Sequence, residues 1–154
     1  MGDLERSAAS VAGPLETLLE LRAEGLVRHL GISNVTADEF ALARRIAPIA
    51  YVQNLYNVSR RGDEAVVEAC AEAGIAYVPY FPIGGFRPLT SARLEAVATR
   101  HGSSTAQVAL AWLLARSPNI LLIPGTGSPA HLEENIAAGQ LRIDPTDLAT
   151  LGGA

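Results

Sequence analysis

Binding chemistry is suggested first by the stretch from Ile120 to Asn135, ILLIPGTGSPAHLEEN. Ile120, Leu121, Leu122 and Ile123 make a short apolar run, which predicts a parallel strand covered on both faces. Pro124, Gly125, Thr126 and Gly127 interrupt it with residues that accept unusual backbone angles and leave amide N–H groups open. Ser128 followed by Pro129 predicts a helix start, because the serine oxygen can cap free amides and proline is preset for the first helical position. Orphan amides and the positive end of a helix dipole then point at one spot, which is the chemistry of an anion site. The same residues also describe an ordinary strand-to-helix loop, and both readings stand at this level. The single cysteine, Cys70, lies in the helical pattern EAVVEACAEAG, where a small buried thiol is expected rather than a reactive one.

The elements that must position this stretch follow from periodicity and punctuation. Met1 to Ala12 is small and polar and predicts a loop. Pro14 to Glu24 carries Leu15, Leu18, Leu19 and Leu21 on a helical stripe and stops at Gly25. Val27 to Ile32 predicts a strand ending in Ser33 and Asn34. Thr36 opens the next helix, where the Thr36 to Glu39 spacing fits a capping box and Leu42 and Ile46 would form the inner face. Ala50 to Leu55 predicts a second strand, with Gln53 on the alternation of Tyr51 and Leu55 and Val52 opposite. Asp63 reads as the cap of a helix from Glu64 to Ala73. Ile75 to Tyr80 predicts a third strand, ended by Phe81, Pro82, Gly84 and Gly85. Two helices follow, Ser91 to His101 and Thr105 to Arg116, the second opening with a Ser104 to Gln107 capping box. The Ile120 strand, a helix from Pro129 to Ala138 and a short helix from Asp144 and Pro145 complete the series.

A helix followed by four βα units predicts an α/β fold with a parallel sheet and right-handed crossovers. In such sheets ligands gather at the C-terminal ends of the strands. Those ends carry Ser33 and Asn34, Gln53 and Asn54, Tyr80 through Gly85, and Gly125 through Ser128, so one rim is polar or glycine-rich.

The 154 residues are 49% apolar, enough for a single core, and carry a net charge of -4 with both signs interspersed. That balance argues against a nucleic-acid surface. With no run of 18 apolar residues and no charged-then-apolar leader, neither a membrane span nor a secretion signal is expected, and the chain reads as cytoplasmic. All 12 basic residues are arginines, and lysine is absent.

Taken in order, EGLVRHLGISN, the VQNLYN strand, the VPYFPIGG strand end, the AQVALAWLL helix and IPGTGSPAHLEENI resemble the C-terminal half of an aldo-keto reductase. The family fold is a TIM-type (β/α)8 barrel, so the resemblance implies a single partial domain over residues 1–154. Residues 1–13 would be a loop, 14–138 a helix plus the fifth to eighth βα units, and 139–154 a tail. It further implies an NAD(P)H-dependent oxidoreductase that reduces aldehydes or ketones to alcohols, with a nicotinamide cofactor and a small carbonyl substrate as partners.

By the same resemblance Ser33, Asn34 and Gln53 would hold the nicotinamide carboxamide, Tyr80 would stack on its ring, and the backbone of Phe81, Ile83 and Gly84 would line the pyrophosphate. Gly125 and Thr126 stand where many members have Lys and Ser, His131 where an Arg is usual, and Glu134 and Asn135 match the pair at the adenine. His131 also reads simply as a solvated histidine in an exposed turn. Without those fixed cations beside a 2′-phosphate, NADP and NAD both stay open, and His131 supplies charge only when protonated.

The family's catalytic Asp, Tyr, Lys and His come from the first half of the barrel. A chain without lysine cannot hold that tetrad, so no catalytic residue and no metal ligand is assigned. Met1 would fall in the loop after the fourth strand, which implies a truncated frame or fragment, alone inactive. The alternative function is a catalytically silent nucleotide-binding or regulatory subunit. Two open edges, at the Val27 and Ile120 strands, imply self-association or pairing with a missing N-terminal half.

Overall fold

In a computed structural model of the chain, residues 10–85 and 89–152 are described. The elements alternate as read from the sequence: α1 (Ala12–Ala23), β1 (Leu30–Ser33), α2 (Ala37–Ile46), β2 (Ile49–Gln53), α3 (Glu64–Glu72), β3 (Ala76–Tyr77), α4 (Ala92–Arg100), α5 (Thr105–Arg116), α6 (Pro129–Ala137), a 3-10 turn (Ala138–Gln140) and α7 (Pro145–Gly152). The three strands lie parallel in the order β1-β2-β3. These are the parallel β/α units of about half a TIM-type barrel.

Local signals decide the starts of α2, α5 and α6. Thr36 accepts from Glu39 N while the Glu39 carboxylate accepts from Thr36 N, and Ser104 with Gln107 repeats the exchange. Each box satisfies two amides that the first helical turn leaves without intrahelical partners. Pro129 sits at the first turn of α6, and the Ser128 hydroxyl accepts from His131 N. The loop expected through residue 13 is already helical from Ala12, and the expected tail contains the 3-10 turn and α7. Residues 1–9 of that loop and 86–88 lie outside the described residues.

The strands are shorter than read. Val27 to His29 do not pair, and β1 spans Leu30–Ser33. The strand expected over Ala50 to Leu55 begins at Ile49 and ends at Gln53. Opposite Leu30 and Gly31 the register jumps from Ile49 to Tyr51, a bulge that puts both Ile49 and Val52 in the core. The strand expected from Ile75 to Tyr80 is regular only over Ala76–Tyr77. Pro79 cannot donate to a ladder, so beyond it only the Leu55–Tyr80 bridge remains.

The largest correction concerns the Ile120 run. It forms no regular strand, meeting β3 only at the Tyr77–Ile120 bridge, and it is not covered on both faces: Leu121 is 57% and Ile123 44% exposed. Its neighbour, β3, is itself regular over only Ala76–Tyr77, so few ladder bonds are on offer.

The core fills one side of the sheet. Leu30, Ile32 and Val52 meet helix residues Phe40, Ala43, Val66, Val67, Val97 and Val108 in one cluster. The inner face of α2 is therefore Phe40 and Ala43; Leu42 and Ile46, the pair read from the sequence, are half-buried. In α5, Val108 through Leu113 are all buried, as in a helix covered nearly all round. Trp112 stacks on Tyr56 at 5.8 Å, and the Arg61 guanidinium lies 4.7 Å from its ring. The other side of the sheet is bare, with Tyr51 40% exposed and its ring across Gly31, where an added Cβ would come within 2.3 Å. Among the described residues no helix is long and apolar enough to cross a membrane.

Cys70 is fully buried, and burial, with the Asp63 carboxylate second, pushes its thiol from 9.0 up to about 12. The folded chain thus keeps a proton that the unfolded chain releases, so this contribution to stability is intact below pH 9.0 and is lost as pH rises toward about 12. A thiol reagent at pH 8 is expected to leave the native chain unlabelled and to label one site in denaturant. Rapid labelling without denaturant would contradict the burial.

Candidate functional site

The polar rim begins where β1 and β2 end. The Ser33 hydroxyl donates to the Gln53 carbonyl at 2.7 Å, and Asn34 N donates to that same oxygen at 3.1 Å. Asn34 has φ 58, in the left-handed region that asparagine tolerates better than most side chains. From the third strand end, the Tyr80 hydroxyl donates to Asn34 Oδ1 at 2.6 Å. Ser33, Asn34, Gln53 and Tyr80, chosen from three separate stretches of sequence, are thus joined in one hydrogen-bonded corner.

Beneath the corner lies a buried polar hub that sequence reasoning missed. Asn54, 1% exposed, accepts from Val35 N at 3.1 Å and donates to Val35 O at 2.7 Å. Its amide also donates to Asp63 Oδ2 at 2.7 Å, and the Tyr77 hydroxyl donates to the same oxygen at 2.6 Å. Asp63, 3% exposed, precedes α3 as expected but makes no side-chain cap, because its carboxylate is turned to these two donors. Burial, and then the hydrogen bond to Asp63, raise the Tyr77 hydroxyl pKa far above its ordinary range, so Tyr77 remains a donor at any physiological pH. The one available signal was the pair of asparagines in QNLYN, polar residues at the end of a strand that is otherwise apolar.

The turn after β3 is held in the same way. Phe81 has φ 54, a strained value for a bulky side chain, and its ring meets Tyr80 edge-on at 5.3 Å. Its carbonyl accepts from Gly84 N and from Asn57 Nδ2, each at 3.0 Å. Asn57 is itself buried, with Oδ1 accepting from Ser59 N and Arg60 N. Gly84 at φ 96 and half-buried Ile83 complete the described part of the turn. The short stretch from Gly84 to Leu89, which the sequence offers as a loop for shaping a substrate pocket, falls partly on residues 86–88, outside the described residues.

The stretch around residue 125 is built differently. Gly125, Thr126, His131 and Glu134 are exposed and Asn135 is half-buried. Thr126 Oγ1 accepts from Ser128 N at 3.0 Å, and the Glu134 carbonyl accepts from Gln107 Nε2 at 3.2 Å, tying α6 to α5. These bonds lie within the segment or run to the helix behind it, and none of them joins the Ser33 corner. Chemically, the corner offers neutral donors and acceptors beside an aromatic ring, a match for a planar amide. The 125–131 turn offers open amides and no arginine or lysine, a match for an anion without a second fixed charge.

Among known proteins, the aldo/keto reductase family matches residues 11–154. Pyridoxine 4-dehydrogenase of Escherichia coli is 54% identical over 154 residues, covering 99% of this chain and 54% of that protein. A thermostable aldo-keto reductase in complex with the inhibitor epalrestat aligns with a TM-score of 0.81 at 32% identity, over 89% of this chain and 52% of that one. An aldo/keto reductase from Klebsiella pneumoniae in complex with NADP and acetate aligns at 0.82 with 28% identity, over 95% and 54% of the two chains. The chain therefore spans about half the length of the relatives it matches.

Replacing Asn54 by alanine strips Asp63 of a donor and leaves both backbone groups of Val35 without their partner. The expected cost is roughly 3 kcal/mol, read as a lower urea midpoint at unchanged slope. An unchanged midpoint would mean that water replaces the amide at no cost.

Proposed function

This chain belongs to the aldo/keto reductase family, and on that premise we propose that it is the nicotinamide-binding half of an oxidoreductase that reduces aldehydes or ketones to alcohols. The observation that supports the reading is the Ser33–Gln53–Asn34–Tyr80 corner, where hydroxyl, amide and backbone carbonyl groups lie beside an aromatic ring at the strand ends. Bound there, the cofactor would supply hydride to a carbonyl carbon. Ser33, Asn34 and Gln53 would orient its carboxamide, Tyr80 would cover one face of the ring, and Phe81, Ile83 and Gly84 would flank the pyrophosphate. Gly125, Thr126 and His131 would meet the adenosine ribose, with Glu134 and Asn135 at the adenine.

Both NADP and NAD suit this reading. The Klebsiella relative holds NADP, whereas here the positions beside the ribose are Gly125, Thr126 and His131, with no lysine or arginine. The expected result of titrating the purified chain, followed by nicotinamide fluorescence, is saturable binding with at most a small preference for NADPH over NADH. Asn34→Gly is the control, because glycine accepts the left-handed backbone and removes only the side chain. It should weaken binding on the order of 10-fold. Binding by neither parent nor variant, or equal binding by both, would count against the assigned corner.

Catalysis needs more than this chain. It contains no lysine, and we assign it no catalytic residue, so carbonyl reduction by the isolated chain is expected to be undetectable. The bare sheet face with Tyr51, Leu121 and Ile123, together with the single-sided Ile120 segment, calls for a second set of βα units to close the barrel. That set would come from a second copy of the chain or from an N-terminal half. In the completed protein, pyridoxine with oxidised cofactor is the first alcohol to try, assayed as the reverse of carbonyl reduction, since it is named in the Escherichia coli relative. Light scattering of the isolated chain should show species above monomer mass; a clean monomer with a sharp unfolding transition would overturn the pairing.

A further inference from the structure

Asn34 and Tyr80 are 46 positions apart in sequence, and they meet through a single bond of 2.6 Å from the Tyr80 hydroxyl to Asn34 Oδ1. An asparagine amide presents a donor at one end and an acceptor at the other, in nearly the same shape. Which end faces outward decides whether the site donates to a ligand or accepts from it. The hydroxyl donates to Oδ1, the acceptor end of that amide. The oxygen end is therefore the one that faces Tyr80, and Nδ2 is left as the end that can meet a ligand.

The backbone beneath that side chain has little freedom. Asn34 N is tied to the Gln53 carbonyl, and both backbone groups of Val35 are clipped by Asn54. With φ at 58 already set, the main freedom left to Asn34 is rotation of its side chain. One hydroxyl can settle that rotation.

We propose that the Tyr80 hydroxyl is a positioning group that turns the Asn34 amide so that Nδ2 donates to the carbonyl oxygen of a nicotinamide carboxamide. This rests on the cofactor reading above, and it is a separate duty from any stacking by the Tyr80 ring. Held this way, the corner discriminates: it favours a ligand carbonyl at Asn34 over a ligand amine, and so favours one of the two flips of the carboxamide. The carboxamide flip in turn sets how the nicotinamide is seated against the strand ends.

The test is a double-mutant cycle on the whole chain. Tyr80→Phe keeps the ring and removes the hydroxyl, and Asn34→Gly keeps the left-handed backbone and removes the amide. The probe is NADH, followed by its fluorescence, with circular dichroism to confirm that each variant is folded. Tyr80→Phe is expected to weaken binding by about 5-fold in the parent and by less than about 1.5-fold in the Asn34→Gly background. Equal losses in the two backgrounds would show that the hydroxyl acts on the cofactor directly or through stacking, and would overturn the proposal. So would no loss in the parent. A second readout is the Asn34 side-chain amide pair in nitrogen-15 NMR, assigned by its absence from Asn34→Gly. It should move on Tyr80→Phe in the cofactor-free chain, and an unmoved pair would also overturn the proposal. If the parent binds neither NADH nor NADPH, the cofactor reading falls and this proposal with it. Binding by the parent with no coupling between the two positions removes this proposal alone.

Discussion

One buried carboxylate oxygen holds the site end of this half-barrel together. Asp63 Oδ2 takes hydrogen bonds from Asn54 at 2.7 Å and Tyr77 at 2.6 Å, so a residue ahead of α3 is joined to the ends of β2 and β3. Through Asn54 the same hub reaches Val35, just beyond β1. A charge removed from water is tolerated only when its lone pairs are filled, and charge-assisted bonds of this length are among the stronger ones available. Three strand ends that might have splayed are therefore kept in register by side chains, at the point where the ladder itself stops. The corner formed by Ser33, Asn34, Gln53 and Tyr80 inherits its geometry from that constraint.

Elsewhere, arginine does the tying. Arg116 bonds Glu64 and Glu68, joining α5 to α3, and Glu64 also accepts from the Tyr56 hydroxyl at 2.7 Å. Burial would raise the Glu64 carboxyl, but the hydrogen bonds from Arg116 and Tyr56 outweigh it and hold the pKa below its ordinary value. Arg100 and His101 at the end of α4 both reach Asp147 on α7, and Arg61 donates to the carbonyls of Leu151 and Gly152. The hydrogen bond from Arg100 comes first in holding the Asp147 carboxyl below its ordinary value. The last helix is thus fastened by charge as well as by Leu151. On the inner side of the sheet, Tyr51, Leu121 and Ile123 are left in contact with solvent.

Much of the fold was legible because its signals are short-range. Both capping boxes, the Ser128 and Pro129 start of α6, the limits of α5 and the βα alternation rest on residues within one helical turn or one strand of each other. The family resemblance added the identity of the strand-end residues, and the structure brings Ser33, Asn34, Gln53 and Tyr80 into one corner. It leaves Gly125, Thr126 and His131 on a separate exposed turn, tied to its own helix and to α5.

By itself the sequence determined the order of the helices and of the first three strands, the polar rim and the absence of lysine, since propensity, capping and composition act locally or by simple count. Only the tertiary structure decided that Asp63 would be a buried acceptor in place of a cap, because its donors lie 9 and 14 residues away on other strands. It also decided that the Ile120 run would lie half-exposed: an apolar run states that cover is needed, whereas cover itself depends on which neighbours arrive. The direction of the Asn34 amide belongs to the same class, being set by a hydroxyl 46 residues downstream. Such pairings are chosen by the packing of whole elements, and no local pattern encodes which distant groups that packing brings within bonding distance.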